Sequence, residues 1–231
     1  MQTIDKQQVR FDFNPQAQPR AYADSGETVR FICQDCYAEQ LTRDGLPFSE
    51  MDMTRNNPIT GPLFIREAQP GDILRVQILN IELNEEGCMC VRTGKGIYEV
   101  EGAHCRRFPV RDGMIWFDNG IRIPIRPMIG VIGTSPARDP ESTQSPGEHG
   151  GNLDIKDMGI GATLYLPVTV PGALLSMGDL HAIQGDGETA ICGMEMGGVV
   201  TVKVDVLKNA AYIPTPFLVN ATHCYTTAAD P

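Results

Sequence analysis

The chain has no apolar run long enough to span a bilayer, and its opening residues, MQTIDKQQVR, hold no apolar core of the kind a secretory leader carries. Both absences set the expectation of a cytoplasmic protein with no membrane partner. Positive charge is short as well: 19 Lys and Arg stand against 29 Asp and Glu, a net charge of −10. Such a field repels phosphate backbones and anionic surfaces, so nucleic acid is excluded as an expected partner. The 7 cysteines are odd in number and scattered, which argues against a secreted disulfide framework. Most are expected to be reduced, small core residues. The pair Cys33 and Cys36 has no second C-x-x-C to complete a four-thiolate zinc site, and Cys88 and Cys90 are spaced wrongly to serve. Phosphate loops are missing too, because Gly94-Lys-Gly96 and Gly185-Asp-Gly187 lack a helix to open. No long amphipathic helix and no internal repeat is evident, beyond a turn or two near residues 38–43.

What the chain does have is two-residue alternation in short pieces between Gly, Pro, Asn and Asp clusters, with 24 Gly and 17 Pro in 231 residues. In residues 73–83 the run puts Leu74, Val76 and Ile78 on one face, with Arg75 and Gln77 on the other. Residues 198–206 do the same with Val200, Val202, Val204 and Val206. Further strands are expected at 27–33, 63–65, 89–92, 114–117, 121–125, 130–133, 162–166 and 173–177, and Asp118-Asn-Gly120 reads as a hairpin turn. The sum is a mainly β chain, an antiparallel β-sandwich or barrel-like architecture with little helix, forming a single domain over 1–231. The polar stretch 138–151 is the place for a long loop or subdomain junction.

Chemistry concentrates in GDLHAIQGDGE, residues 178–188, which sets Asp179, His181, Gln184, Asp186 and Glu188 between two apolar strands. In extended backbone Asp179 and His181 share a side, and mixed carboxylate and imidazole donors suit a divalent ion. Glu195, on the next strand, can close the set across the hairpin. The plainer reading is a polar hairpin whose acids bind turn amides. Asn152 and Asp154 also share parity after two glycines, as oxygen ligands or amide contacts, or as an ordinary Asn/Asp turn. Asp35 follows a strand between two thiols. His104 and Cys105 are adjacent and point to opposite faces, which disfavours a thiol–imidazole pair.

The stretch 178–188 resembles the signature of the acetamidase/formamidase family. NPITGP at 57–62, PGDILRVQI at 70–78, GGNLDIK at 150–156 and LYLPV at 164–168 resemble further landmarks of that family in the same order. The resemblance implies a hydrolase of carbon–nitrogen bonds in small linear amides, formamide- or acetamide-like, that releases ammonia. It implies a homodimer or higher homo-oligomer and a divalent metal ion, zinc first, with calcium or manganese as alternates. Carried over, the catalytic residues are Glu188, Glu195 and His181, and the metal candidates are Asp35, Asp179, His181, Asn152 and Asp154. Glu188, or failing it Glu195, would move the proton between water and the leaving nitrogen, and amides of the 185–187 turn would face the oxyanion. Family chains continue past residue 206 into a partly helical segment that this chain, ending at Pro231, is expected to lack. The other readings are a metal-independent Cys or carboxylate amidase, and a non-catalytic β-sandwich that binds metal or carbohydrate.

Overall fold

A computed structural model describes residues 1–41, 48–97 and 99–228. Among the described residues two large sheets and one two-stranded pair form. The seven-stranded sheet is centred on Gly198–Leu207, which pairs antiparallel with Thr28–Cys33 on one edge and with Ile73–Leu83 on the other. These are the strands whose alternation is clearest in the sequence. Val200, Val202 and Val204 are fully buried, as are Leu74, Val76 and Ile78, while Thr201, Lys203 and Asp205 alternate outward. Burying each such side chain contributes about 1.5–3 kcal/mol, so a one-residue slip, which exchanges the two faces, is strongly disfavoured.

The second sheet, eleven-stranded, contains Ile59–Ile65, Met128–Gly133, Leu175–His181 and Glu195–Met196. One continuous core joins the two sheets: Phe31, Val76 and Val202 from the first meet Leu63, Ile129, Ile132, Leu175, Met177 and Leu180 from the second. The expected mainly β, antiparallel architecture is what forms, with three short 3-10 turns as the helical content among the described residues. Two pairings are parallel, Gln2–Ile4 on Thr28–Cys33 and Ala21–Ala23 on Ile59–Ile65. Asp118-Asn-Gly120 does turn a hairpin, joining Met114–Trp116 to Arg122–Pro124 with Gly120 at φ 81°.

Two expectations need correction. The strand placed at 173–177 covers Leu175–His181 instead, so Asp179 and His181, read in extended backbone, belong to that buried strand and the plainer hairpin reading falls. A nine-residue strand, Ala103–Arg111, was not foreseen; its residues 103–109 pair with Glu86–Arg92, and Val110 and Arg111 pair with Met114–Trp116. Its Pro109 and its arginines masked the alternation, since proline removes a ladder donor. Cys90 and Cys105 face each other in that pairing and form a disulfide, leaving Cys33, Cys36, Cys88, Cys192 and Cys224 as free thiols. The stretch 138–151 is pinned at both ends, Glu141–Ser142 against Asp12–Phe13 and Pro146–Gly147 against Gly150–Asn152. Of the turn expected near 38–43, residues 36–39 form turns, and 42–43 lie outside the described residues. No helix among the described residues is long and apolar enough to cross a membrane.

Candidate active site

Leu175–His181 is hydrogen-bonded on both edges, to Met128–Gly133 on one and to Ile59–Ile65 and Glu195–Met196 on the other, and all its residues are buried. Close packing leaves no room for side chains at two places. At Gly178 a Cβ would sit 2.1 Å from the Pro58 carbonyl oxygen. At Gly130, which lies across the ladder from Asp179, a Cβ would sit 2.5 Å from Asp179 Oδ2 and 2.9 Å from Asp154 Oδ1. The missing side chain at 130 is therefore the space in which two carboxylates meet. Asp179 itself takes a left-handed conformation, φ 56°, inside the strand. A non-glycine residue held there costs on the order of 1–3 kcal/mol, a strain found mostly where function requires it.

The ladder sets His181 opposite Glu195. His181 Nε2 lies 3.1 Å from Glu195 Oε2 and 3.4 Å from Asp179 Oδ1. On the other side of the ring, Nδ1 is 2.7 Å from Gln184 Oε1, and Gln184 Nε2 donates to the Asp154 carbonyl at 2.7 Å. That second bond fixes the amide, because only its nitrogen can donate to a carbonyl. Nδ1 must then carry the ring proton, and Nε2 is the nitrogen presented to the acids. Although close enough for charge attraction, Nε2 and its acid neighbours are misaligned for hydrogen bonding. His181 Nε2, Glu195 Oε2 and Asp154 Oδ1 are thus buried atoms without a hydrogen-bond partner among the described residues.

Charge is expensive at this depth. Burial pushes the Glu195 carboxyl up to about 8 and that of Asp154 up to about 7, with Asp179 adding to both and His181 opposing. Burial raises Glu188 as well. Burial works against a charged His181, but Glu195 and Asp179 outweigh it and hold the imidazole well above its ordinary value. The cluster attracts positive charge that its own hydrogen bonds do not supply. Donor atoms of Asp154, Asp179 and His181 fall within 4.8 Å of one another, as do those of His181, Glu188 and Glu195. Oxygen and imidazole donors of this kind fit a divalent cation.

A cavity of about 290 Å³ opens over the cluster, and Asn152, Asp154, Asp179, Glu188 and Glu195 line it. Of the residues singled out in the sequence, these five and the buried His181 are brought together. Asp35 is not among the lining residues. Its Oδ1 accepts from the amides of Tyr37 and Glu39, at 3.1 and 2.8 Å, and so caps the turn that carries Cys36 to the cavity. Residues 185–187, whose amides were expected at the oxyanion, lie on an exposed turn. Sequence reasoning missed Cys36, Asn56 and Asn57 as cavity residues. A chain of amides runs there, Asn56 Nδ2 donating to Asn57 Oδ1 at 2.8 Å and Asn57 Nδ2 to Asn152 Oδ1 at 3.5 Å. Asn57 stands in a quoted landmark, which was the one available signal.

Comparison with known proteins places this geometry. The model of the Acetamidase/Formamidase family matches residues 2–141 and 137–222. A Schizosaccharomyces pombe protein provisionally named formamidase is 31% identical over 80% of this chain and 61% of its own length. The formamidase of Methylophilus methylotrophus is 26% identical over 87% of this chain and 65% of its own. The chain thus spans about three fifths to two thirds of those relatives. The crystal structure of an acetamidase from Bacillus halodurans superposes with a TM-score of 0.92 at 41% identity, covering 96% of this chain and 76% of the other.

Proposed function

We propose, for a chain that belongs to the acetamidase/formamidase family, that the acid-lined cavity hydrolyses the carbon–nitrogen bond of small linear amides of the formamide or acetamide type and releases ammonia. The observation that carries the reading is the meeting of Asp154, Asp179, His181 and Glu195 beneath one cavity with three buried donor atoms unpaired. Asp154, Asp179 and His181 would hold a divalent ion, zinc first, with manganese or calcium as alternates. Bound there, the ion supplies a Lewis acid for water and the amide carbonyl.

The remaining work belongs to side chains. Gln184 keeps the His181 proton on Nδ1 and so leaves the Nε2 lone pair to ligate the ion. Glu188 lines the cavity with Oε1 anchored by the Gly193 amide at 2.8 Å, and burial raises its carboxyl toward the range useful to a general base. It takes the proton of the attacking water and returns it to the nitrogen, which then leaves as ammonia. Asn152, whose Oδ1 accepts from Asn57, has its Nδ2 left to hold the substrate carbonyl in place of the 185–187 amides. Family likeness also supports a homodimer or larger homo-oligomer and a cytoplasmic setting, which light scattering and cell fractionation check.

A metal-independent cysteine amidase is less well supported. Cys36 is the thiol that reaches the cavity together with the acids, and burial, then Glu195 and Asp179, push it well above its ordinary value, the reverse of an activated nucleophile. The test is ammonia release from short amides before and after chelation, with zinc restored. Glu188→Gln is expected to lower turnover by about 10²–10⁴-fold with ion content kept. A His181→Ala protein that retained both full ion content and full turnover would remove the reading.

A further inference from the structure

The ion proposed above uses Asp154, Asp179 and His181, and it leaves part of the cluster unexplained. Cys36 and Glu195 are each 5% exposed and Asp179 is 3% exposed, and one donor atom from each lies within 4.8 Å of the other two. Glu195 Oε2 is one of the unpaired buried atoms. Cys36 is held in place from two directions: Asp35 caps its turn, and the Asn57 amide donates to the Cys36 carbonyl at 2.7 Å. Four carboxyl groups, Asp154, Asp179, Glu188 and Glu195, line one cavity with Cys36 beside them, against one buried imidazole and the side chains of Arg92 and Lys95.

The geometry points to a second cation seat, made of Cys36, Asp179 and Glu195, that shares Asp179 with the seat of Asp154 and His181. The proposal rests on the reading of the cavity as a metal site and says what that site contains. Donors around one tetrahedral zinc at about 2.0–2.3 Å lie about 3.3–3.8 Å apart, and atoms already within 4.8 Å of one another are drawn in by the ion. Asp179 belongs to both groups: its oxygens lie beside His181 and Asp154, and one of its donor atoms is also within 4.8 Å of those of Cys36 and Glu195. A sulfur donor selects a thiophilic ion such as zinc over calcium or manganese. Binding deprotonates the thiol, and the proton is released to solvent.

Cobalt substitution and metal analysis of the purified protein test this. The wild type is expected to hold about two ions per chain, to show a near-ultraviolet sulfur-to-cobalt charge-transfer band, and, loaded with zinc, to give a sulfur scatterer at about 2.3 Å in X-ray absorption. Cys36→Ser is expected to lose the band and one ion, and Cys88→Ser, which changes the neighbouring buried thiol, to keep both. If Cys36→Ser fails to fold, the wild-type absorption spectrum decides. A single ion per chain, two ions with oxygen and nitrogen scatterers alone, or a band that survives Cys36→Ser overturns the second seat and leaves the first standing. A protein that takes up no ion overturns both.

Discussion

Gln184 lines no part of the cavity, yet its amide decides which nitrogen of His181 meets the acids. Replacing it with Leu removes the Nδ1 acceptor and the tie to Asp154 together, and ion affinity is expected to fall about 10–100-fold, as for other outer-shell partners. Competition with a chromophoric chelator measures it; unchanged affinity would show that the ring needs no such anchor. Gly130→Ala should act more harshly on the site, because its methyl would enter the space that Asp179 and Asp154 share. At this scale the sequence is legible where neighbours in the chain are neighbours in space. Asp179 and His181 could be paired by parity, and Asn152 with Asp154 likewise. Gln184's task could not be read, because the carbonyl it grips is 30 residues away. Cys36 was hidden for the same reason: its acids come from Leu175–His181 and Glu195–Met196, and no spacing within the chain announces the meeting.

Strands were readable in proportion to the contrast between their two faces. Ile73–Leu83 and Gly198–Leu207 have one face in the core and one outward, so their period shows and their limits could be placed almost to the residue. Leu175–His181 is buried throughout and pairs on both edges, so no alternation marked its end, and the expected strand stopped at 177. Adjacent positions in Ile73–Leu83 should report this contrast directly. Leu74→Ala, at a site with no exposure, is expected to cost about 2–5 kcal/mol. Arg75→Ala, which breaks a partly buried pair with Asp205 at 3.1 Å on the outward face, is expected to cost about 1 kcal/mol. Urea melts of the two variants give the comparison, and equal losses would contradict the assigned faces.

For the whole molecule, the buried acids bear on stability as well as on chemistry. A net charge of −10 is gathered partly around one cavity, so the proposed ions are folding ligands: at a free concentration 100 times their dissociation constant each adds about 2.7 kcal/mol. The melting temperature should therefore rise with added zinc and fall on chelation, and a flat response would count against bound ions. Acid should unfold the protein through His149 as well. Burial pulls this imidazole down to about 4, and Phe13 packs edge-on at 4.8 Å. Because its folded value is lowered, the unfolded chain binds the proton first. The contribution is intact above the ordinary value near 6.5 and is lost, to about 3 kcal/mol, as pH falls toward 4. His149→Gln should flatten that part of the curve, measured by urea melts between pH 7 and pH 4.5. Lastly, the floor of the cavity is a strand bonded along both edges, whereas Lys95, Gln144 and Ile191 reach it from loops. Residues on those loops can be exchanged one by one to admit longer or more polar molecules without disturbing the hydrogen-bonded floor that holds the imidazole and its acids.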